Sequence, residues 1–254
     1  FILISLNLFL LIFIIKKLTS NNLVIFFSAT IFIFSAIHSI EIYYLASVQT
    51  LMSTFFALTA LLLFINFVKS STVSYFLASI LSYLLALFSH ESAIILPGIL
   101  FLLYFFLKKE SKKLFLSLIV FTAIGLLFFL STSSITNLPD QEVYKPVFKV
   151  KSILNTLGWY VLWSFGAPEM LVDFVGSGFN LKDQFITWYG DYAKVVFPSI
   201  FITVSLLLLL VWSSRDRIFH NKLLIFFITS FFISISPFIF FPQHKFIYYL
   251  SLSS

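Results

Sequence analysis

The stretch Ser47–Lys69, SVQTLMSTFFALTALLLFINFVK, decides the fold class. No ionisable side chain stands between Ser47 and Val68, and Lys69 closes the run. A helix crossing the ~30 Å hydrocarbon core of a bilayer needs ~20 apolar residues. In lipid every backbone polar group must be satisfied within the segment, so a run of this kind is a helix. Apolar and polar residues do not alternate along it, which argues against a β-barrel strand.

The pattern repeats on both sides. Upstream lie Phe1–Ile15, closed by Lys16 and Lys17, and Leu23–Ile37. Downstream come Val73–Phe88, Ala93–Leu107 with Lys108, Lys109, Lys112 and Lys113 behind it, and Leu114–Leu130. After a longer polar stretch follow Tyr192–Trp212, closed by Arg215 and Arg217, and Leu223–Phe241, opened by Lys222. The spacing predicts an all-α fold, a polytopic transmembrane helix bundle of about eight spanning helices.

Composition agrees. Of 254 residues 60% are apolar and 20% aromatic, against 16 basic and 10 acidic side chains. A soluble domain carries about 25% charged residues. A disordered chain, a coiled coil and an ordinary nucleic-acid-binding domain are excluded. The net charge is +6, but the basic residues form short clusters between apolar runs and no stripe that tracks a phosphate backbone. With no cysteine there is neither a disulfide nor a thiolate metal site. Position 1 is Phe, inside an apolar run, so the expectation is a fragment whose true N-terminus is missing.

Basic residues set the expected orientation. If the first run travels outside to inside, Lys16, Lys17, Lys69, Lys108, Lys109, Lys112, Lys113, Arg215, Arg217 and Lys222 are all cytoplasmic. Three regions follow. Residues 1–130 are transmembrane helices, residues 131–191 an extracytoplasmic loop, and residues 192–254 the C-terminal transmembrane helices. The loop holds Asp140, Glu142, Glu169, Asp173, Asp183 and Asp191. Its segment Lys151–Pro168 reads as an interfacial or re-entrant helix, because Trp159, Tyr160 and Trp163 suit a membrane–water boundary.

Three polar constellations interrupt the apolar runs, all at the expected outer side. His38 and Glu41 are three apart and share a helix face, with Tyr43 and Tyr44 behind them. His90 and Glu91 separate two apolar runs with no room for a loop, and ionisable groups at that depth are functional candidates. His244 and Lys245 follow a segment broken by Pro237 and Pro242. Each has a plainer explanation: a helix end among headgroups, a polar hairpin turn, or a snorkelling lysine. No Walker motif, Gly-rich dinucleotide loop, nucleophile elbow or zinc-binding His pair is present. Carboxylates and histidines lack ligand spacing, so no metal or other cofactor is assigned.

The order of these features resembles the polytopic GT-C glycosyltransferases. The string from His38 to Phe67 is similar to their third and fourth helices. Leu87-Phe-Ser-His-Glu-Ser-Ala-Ile-Ile-Leu-Pro97 resembles the pattern L-L-S-K-E-x-A-x-x-L-P, with His90 where Lys is usual. Gln243-His-Lys-Phe-Ile-Tyr-Tyr-Leu250 resembles R/H-x-x-Y-L-Y-L-P, without the closing Pro. The nearest resemblance is to protein O-mannosyltransferase-like enzymes and bacterial lipid-linked-sugar transferases.

That resemblance implies an inverting enzyme that moves a sugar from a polyprenyl-phosphate donor to a protein, lipid or glycan acceptor on the extracytoplasmic face. It implies a carboxylate general base in a loop upstream of Phe1, outside this sequence. His90, His244 and Lys245 would neutralise the leaving phosphate. Glu41 and Glu91 would bind sugar hydroxyls or hold those cations, and His38 would complete the set. The implied partners are the lipid-linked sugar, its acceptor and membrane lipid, with no nucleic acid. The implied location is the plasma membrane of a prokaryote or the endoplasmic-reticulum membrane of a eukaryote. A transporter or a non-catalytic membrane scaffold is the competing expectation, since Pro97 and Pro237 also suit a substrate pathway.

Overall fold

The computed structural model describes residues 1–35, 37–38, 47–107, 112–135, 145–176, 180–218 and 221–251. Among the described residues the fold is all-helical, 83% helix. Among the described residues β-pairing is confined to one isolated bridge, Val175 to Leu181.

Among the described residues ten α-helices run in order: α1 (Ile2–Leu18), α2 (Asn22–Ile33), α3 (Val48–Ser70), α4 (Val73–Ser89), α5 (Leu96–Leu107), α6 (Lys112–Ile135), α7 (Val150–Ser164), α8 (Leu171–Phe174), α9 (Asp183–Ile218) and α10 (Lys222–Ile235). Short 3₁₀ turns occupy Glu91–Ile95, Phe238–Phe240 and Ile247–Leu250. Local chemistry fixes several ends. The Asn21 side chain accepts hydrogen bonds from the amides of Leu23 and Val24, and Asn221 does the same for Leu223 and Leu224, so both helices have asparagine N-caps. Ser71 takes a left-handed conformation at φ 59°, which ends α3 and lets α4 return beside it.

Helices α3 and α4 form the central pair, and α1, α5 and α6 pack around them, with α10 against α5. The seam is made of small residues. Ala57, Ala60 and Ala86 are wholly buried, so the two backbones approach closely. Ser79 Oγ donates to the Ala60 carbonyl at 2.7 Å and Ser53 Oγ to the Ala86 carbonyl at 3.1 Å. Asn7, fully buried on α1, donates through Nδ2 to the Leu51 carbonyl at 3.2 Å. Phe64, Tyr83 and Phe121 fill the remaining volume, with Phe121 edge-on to Phe64.

Large apolar side chains face outward instead. Phe115, Leu116, Leu126, Leu127 and Leu130 on α6 are exposed, as are Phe201, Ile202, Leu206, Leu208, Leu209 and Trp212 on α9. Water-soluble monomers avoid contiguous apolar exteriors of this kind. Two helices, Val48–Ser70 and Lys112–Thr132, are long and apolar enough to cross a membrane. The best window of the second is only 28% buried, so it is no interior helix of a water-soluble core. Four shorter apolar helices, Asn22–Ile33, Val73–Ser89, Glu91–Leu107 and Lys222–Ile235, fall below that length. The twelve residues of α2 rise ~18 Å, well under a bilayer core.

Helix bounds differ from the apolar runs at informative places. Leu23–Ile37 predicts one long helix, but α2 stops at Ile33. Leu223–Phe241 is helical only to Ile235, because Pro237 cannot continue the hydrogen-bond ladder. The division after residue 130 falls inside α6, which continues to Ile135. The division at residue 191 falls inside α9, which starts at Asp183 and breaks at Tyr189, where φ is −129°. The expected interfacial helix over Lys151–Pro168 corresponds to α7, Val150–Ser164.

The basic helix ends gather at one end of the bundle. Lys69 Nζ donates to the Lys17 carbonyl at 3.0 Å, Lys113 Nζ to the Ser71 carbonyl at 3.5 Å, and Lys113 lies over the Phe67 ring. The His90 turn, at the far end of α4, is at the opposite pole. There a second, aromatic core joins Trp159, Tyr160 and Trp163 of α7 to Phe238, Ile247, Tyr249 and Leu250. We refer to α7, α8 and the strap from Ser236 to Ser251 as the cap.

Candidate site beneath the aromatic cap

His90 ends α4 in extended conformation at φ −162° and caps the 3₁₀ turn that follows. Its Nδ1 accepts the Ser92 amide N–H at 3.1 Å and lies 3.0 Å from Ser92 Oγ. An Nδ1 that accepts leaves the proton on Nε2, which makes Nε2–H the donor available to a ligand. Burial holds the His90 imidazole below its usual value, and Glu91, whose carboxylate lies 3.9 Å away, offsets part of this. The Glu91 side chain is 69% exposed and so reaches away from the bundle.

The strap brings the second constellation to the same place. The His90 ring lies 6.1 Å from that of Tyr249 and 6.4 Å from that of Tyr248. His244 lies 5.9 Å from Tyr249 and 4.8 Å from Phe246. Tyr249 itself stacks on Phe238 at 4.0 Å, and Phe246 on Tyr248 at 5.1 Å. Two histidines distant in sequence therefore share one aromatic floor. Burial also lowers His244, offset by Glu91, and lowers Lys245, offset by Asp173. The Tyr249 and Tyr160 hydroxyls are raised, chiefly by burial, and act as hydrogen-bonding groups in their neutral form.

His38 is buried with its ring 4.5 Å from that of Phe32, and its neighbour Ile37 belongs to the aromatic core. Glu41, with Tyr43 and Tyr44, lies outside the described residues. Among the described residues no cluster of three or more histidines and carboxylates is arranged to hold a metal ion.

Two features of the site lie beyond the sequence reading. Glu169 accepts the Ile247 amide N–H at 2.8 Å across 78 positions of sequence, and burial raises its carboxyl above the usual carboxylate range. Nothing local marks it, apart from being an acid in a stretch rich in aromatics. The other is a cavity of about 320 Å³ between α1, α2, α3, α5 and α10. Ile14, Phe32, Leu61, Ile99 and Phe226 line it, together with Thr54 and Ser251. Thr54 Oγ1 and Ser251 Oγ are 3.1 Å apart, so the cavity wall is tied to the end of the strap that carries Tyr249.

No protein-family model matches the chain, and neither a curated protein nor a solved structure is similar to it.

Proposed function

We propose that the chain is the core of a multi-pass membrane protein that binds a polyprenyl-phosphate-linked sugar at its outer end, as the donor of a glycosyl transfer. The observation that carries this reading is the meeting of the His90 turn and the His244–Tyr249 strap on one aromatic floor, beside an apolar cavity. An amphiphilic donor asks for that combination: a hydrocarbon slot for its chain, and donors and positive charge for its phosphate. The bundle's apolar exterior supports placement in lipid, with the cap at one surface and the Lys17, Lys69 and Lys113 end at the cytoplasmic surface. The remaining apolar helices then complete the eight-span arrangement, the short ones with their polar ends in the interface.

Within this site the histidines work as neutral donors at neutral pH, since burial lowers both. On this reading His90 Nε2–H donates to a phosphate oxygen, and Lys245 supplies the charge that stabilises the departing phosphate. Tyr248 and Tyr249 offer faces on which a sugar ring packs. No general base for the acceptor is assigned to a residue of this chain.

Binding of a short-chain polyprenyl phosphate to the purified chain tests the reading. Removing one charged donor from such a site commonly costs ~3 kcal/mol, about 100-fold. His244→Ala and Lys245→Ala are each expected to weaken binding, Lys245→Ala the more. Unchanged binding in both variants places the phosphate elsewhere and removes this assignment.

A further inference from the structure

We propose that Glu169 positions the His244–Tyr249 strap, and that the charge on this carboxyl controls whether the strap is fastened. The inference deepens the donor site proposed above and rests on it for its consequence, but the fastening itself is measurable without any donor.

The geometry is specific. Glu169 stands in the turn between α7 and α8, where the amides of Leu171 and Val172 close onto the carbonyls of Pro168 and Glu169. Its Oε1 reaches across to the Ile247 N–H, two residues past Lys245 and three past His244. The other ends of the strap are fastened by different means. The Val147 amide donates to the Phe240 carbonyl at 2.7 Å, and Ser251 pairs with Thr54. Residues 241–246, which carry both basic side chains, therefore lie between a backbone bond at one side and a carboxyl at the other. A backbone bond does not titrate; a carboxyl does.

The groups around Glu169 set the sign. From α7 the Tyr160 hydroxyl faces it, and from α8 the Asp173 carboxylate. Lys245 on the strap is supported by Asp173, and Lys182 Nζ donates to the Asp173 carbonyl at 2.7 Å. Desolvation and Asp173 both favour the neutral carboxyl, against the Ile247 N–H, which favours the carboxylate. Asp173 stays beside Glu169 when the strap lifts, so the difference between the two states lies in burial, the larger effect, which opening relieves, against the Ile247 N–H; the closed strap therefore holds the proton more tightly than the open one, where the carboxyl meets water. Opening releases a proton, so it is favoured as pH rises from the ordinary carboxylate value through the raised one. The strap is fastened at acidic pH and loosens above it.

Amide hydrogen exchange of the strap in the detergent-solubilised full chain, corrected for intrinsic rates from about pH 4 to about pH 7, reads this directly. In the unaltered protein, protection at Ile247 is expected to fall as pH rises. Glu169→Gln keeps an acceptor oxygen and removes the titration, so its profile is expected to be flat and its protection at neutral pH higher. Glu169→Ala removes the acceptor and is expected to exchange several-fold faster across the range, up to about tenfold. Unchanged exchange in α3 serves as the control for folding. A pH slope in Glu169→Gln equal to that of the unaltered protein overturns the inference, and so does full protection in Glu169→Ala. If the strap behaves as expected but no polyprenyl phosphate binds, the donor reading fails and the latch stands. If the donor binds and its pH profile is the same in Glu169→Gln, the latch does not govern the site.

Discussion

Ala57, Ala60 and Ala86 fill the seam between α3 and α4, whereas Trp163, Tyr160 and Tyr249 fill the contact between α7 and the strap. Both are fully closed, but the closest helix–helix seam of the bundle is made of alanines, whereas the cap contact is made of aromatics. The bundle buries large side chains as well, Phe64, Tyr83 and Phe121 among them, but many others, such as Phe201 and Leu127, face outward. Helices surrounded by hydrocarbon gain nothing from hiding a leucine. They associate through close backbone approach and through hydroxyls that bond to neighbouring carbonyls, as Ser79 and Ser53 do. The cap buries its aromatics, which is what the hydrophobic effect rewards where water is the alternative. It is also where His90, Glu169, His244 and Lys245 collect. On the membrane placement proposed above, the contrast is between a region in hydrocarbon and a region at the water boundary.

The largest expected effect follows from deleting a cap aromatic. Trp163→Ala leaves a cavity in a site that is almost fully closed, and is expected to cost ~3–5 kcal/mol. Denaturant titration in detergent, followed by hydrogen exchange of the strap, should show the cap lost before α3 and α4 open. Simultaneous loss of both regions would mean that they form one cooperative unit and would break the contrast.

A smaller effect is expected from adding one carbon to the bundle. A Cβ at Gly125 would stand 2.7 Å from the Tyr83 hydroxyl, so Gly125→Ala must displace that ring or separate α6 from α4. Overpacking of this kind costs ~1–3 kcal/mol. The cost should appear as faster exchange in α4 and α6 with the cap unchanged. Paired with Tyr83→Phe, which removes the clashing oxygen, Gly125→Ala should recover most of the loss.

The most modest effect is a pH dependence confined to the His90 turn. The folded imidazole sits below its usual value of 6.5, so the stability it contributes is complete above that value and is lost as pH falls through it towards the lowered one. His90→Asn keeps a good N-cap and removes the proton. Exchange at Ser92 should accelerate on acidification in the unaltered protein and not in His90→Asn.

Much of this was legible in the sequence, and the reasons for the rest are physical. Runs without charge announce helices, and Asn21 and Asn221 announce two of their starts. The early end of α2 at Ile33 was not legible, because nothing in Phe34-Ser-Ala-Ile37 distinguishes a turn from more helix. The Asp183 start of α9 was hidden because apolarity, not helicity, marked the expected boundary. His90 and His244 stood out as polar interruptions, but the floor they share depends on the path of the strap. Glu169 depends on the same path, since its partner is a backbone amide that no residue type encodes.

The two-solvent account is tested most directly by thiol labelling in intact cells. The chain has no cysteine, so each introduced one reports alone. Single cysteines at Lys149 and Lys182 flank the cap, and single cysteines at Lys16 and Lys113 mark the basic end. An impermeant maleimide is expected to label the first pair in intact cells, and the second pair only after the membrane is opened. Labelling of all four positions in intact cells, or of positions 16 and 113 alone, would contradict the placement of the cap and of the site it covers.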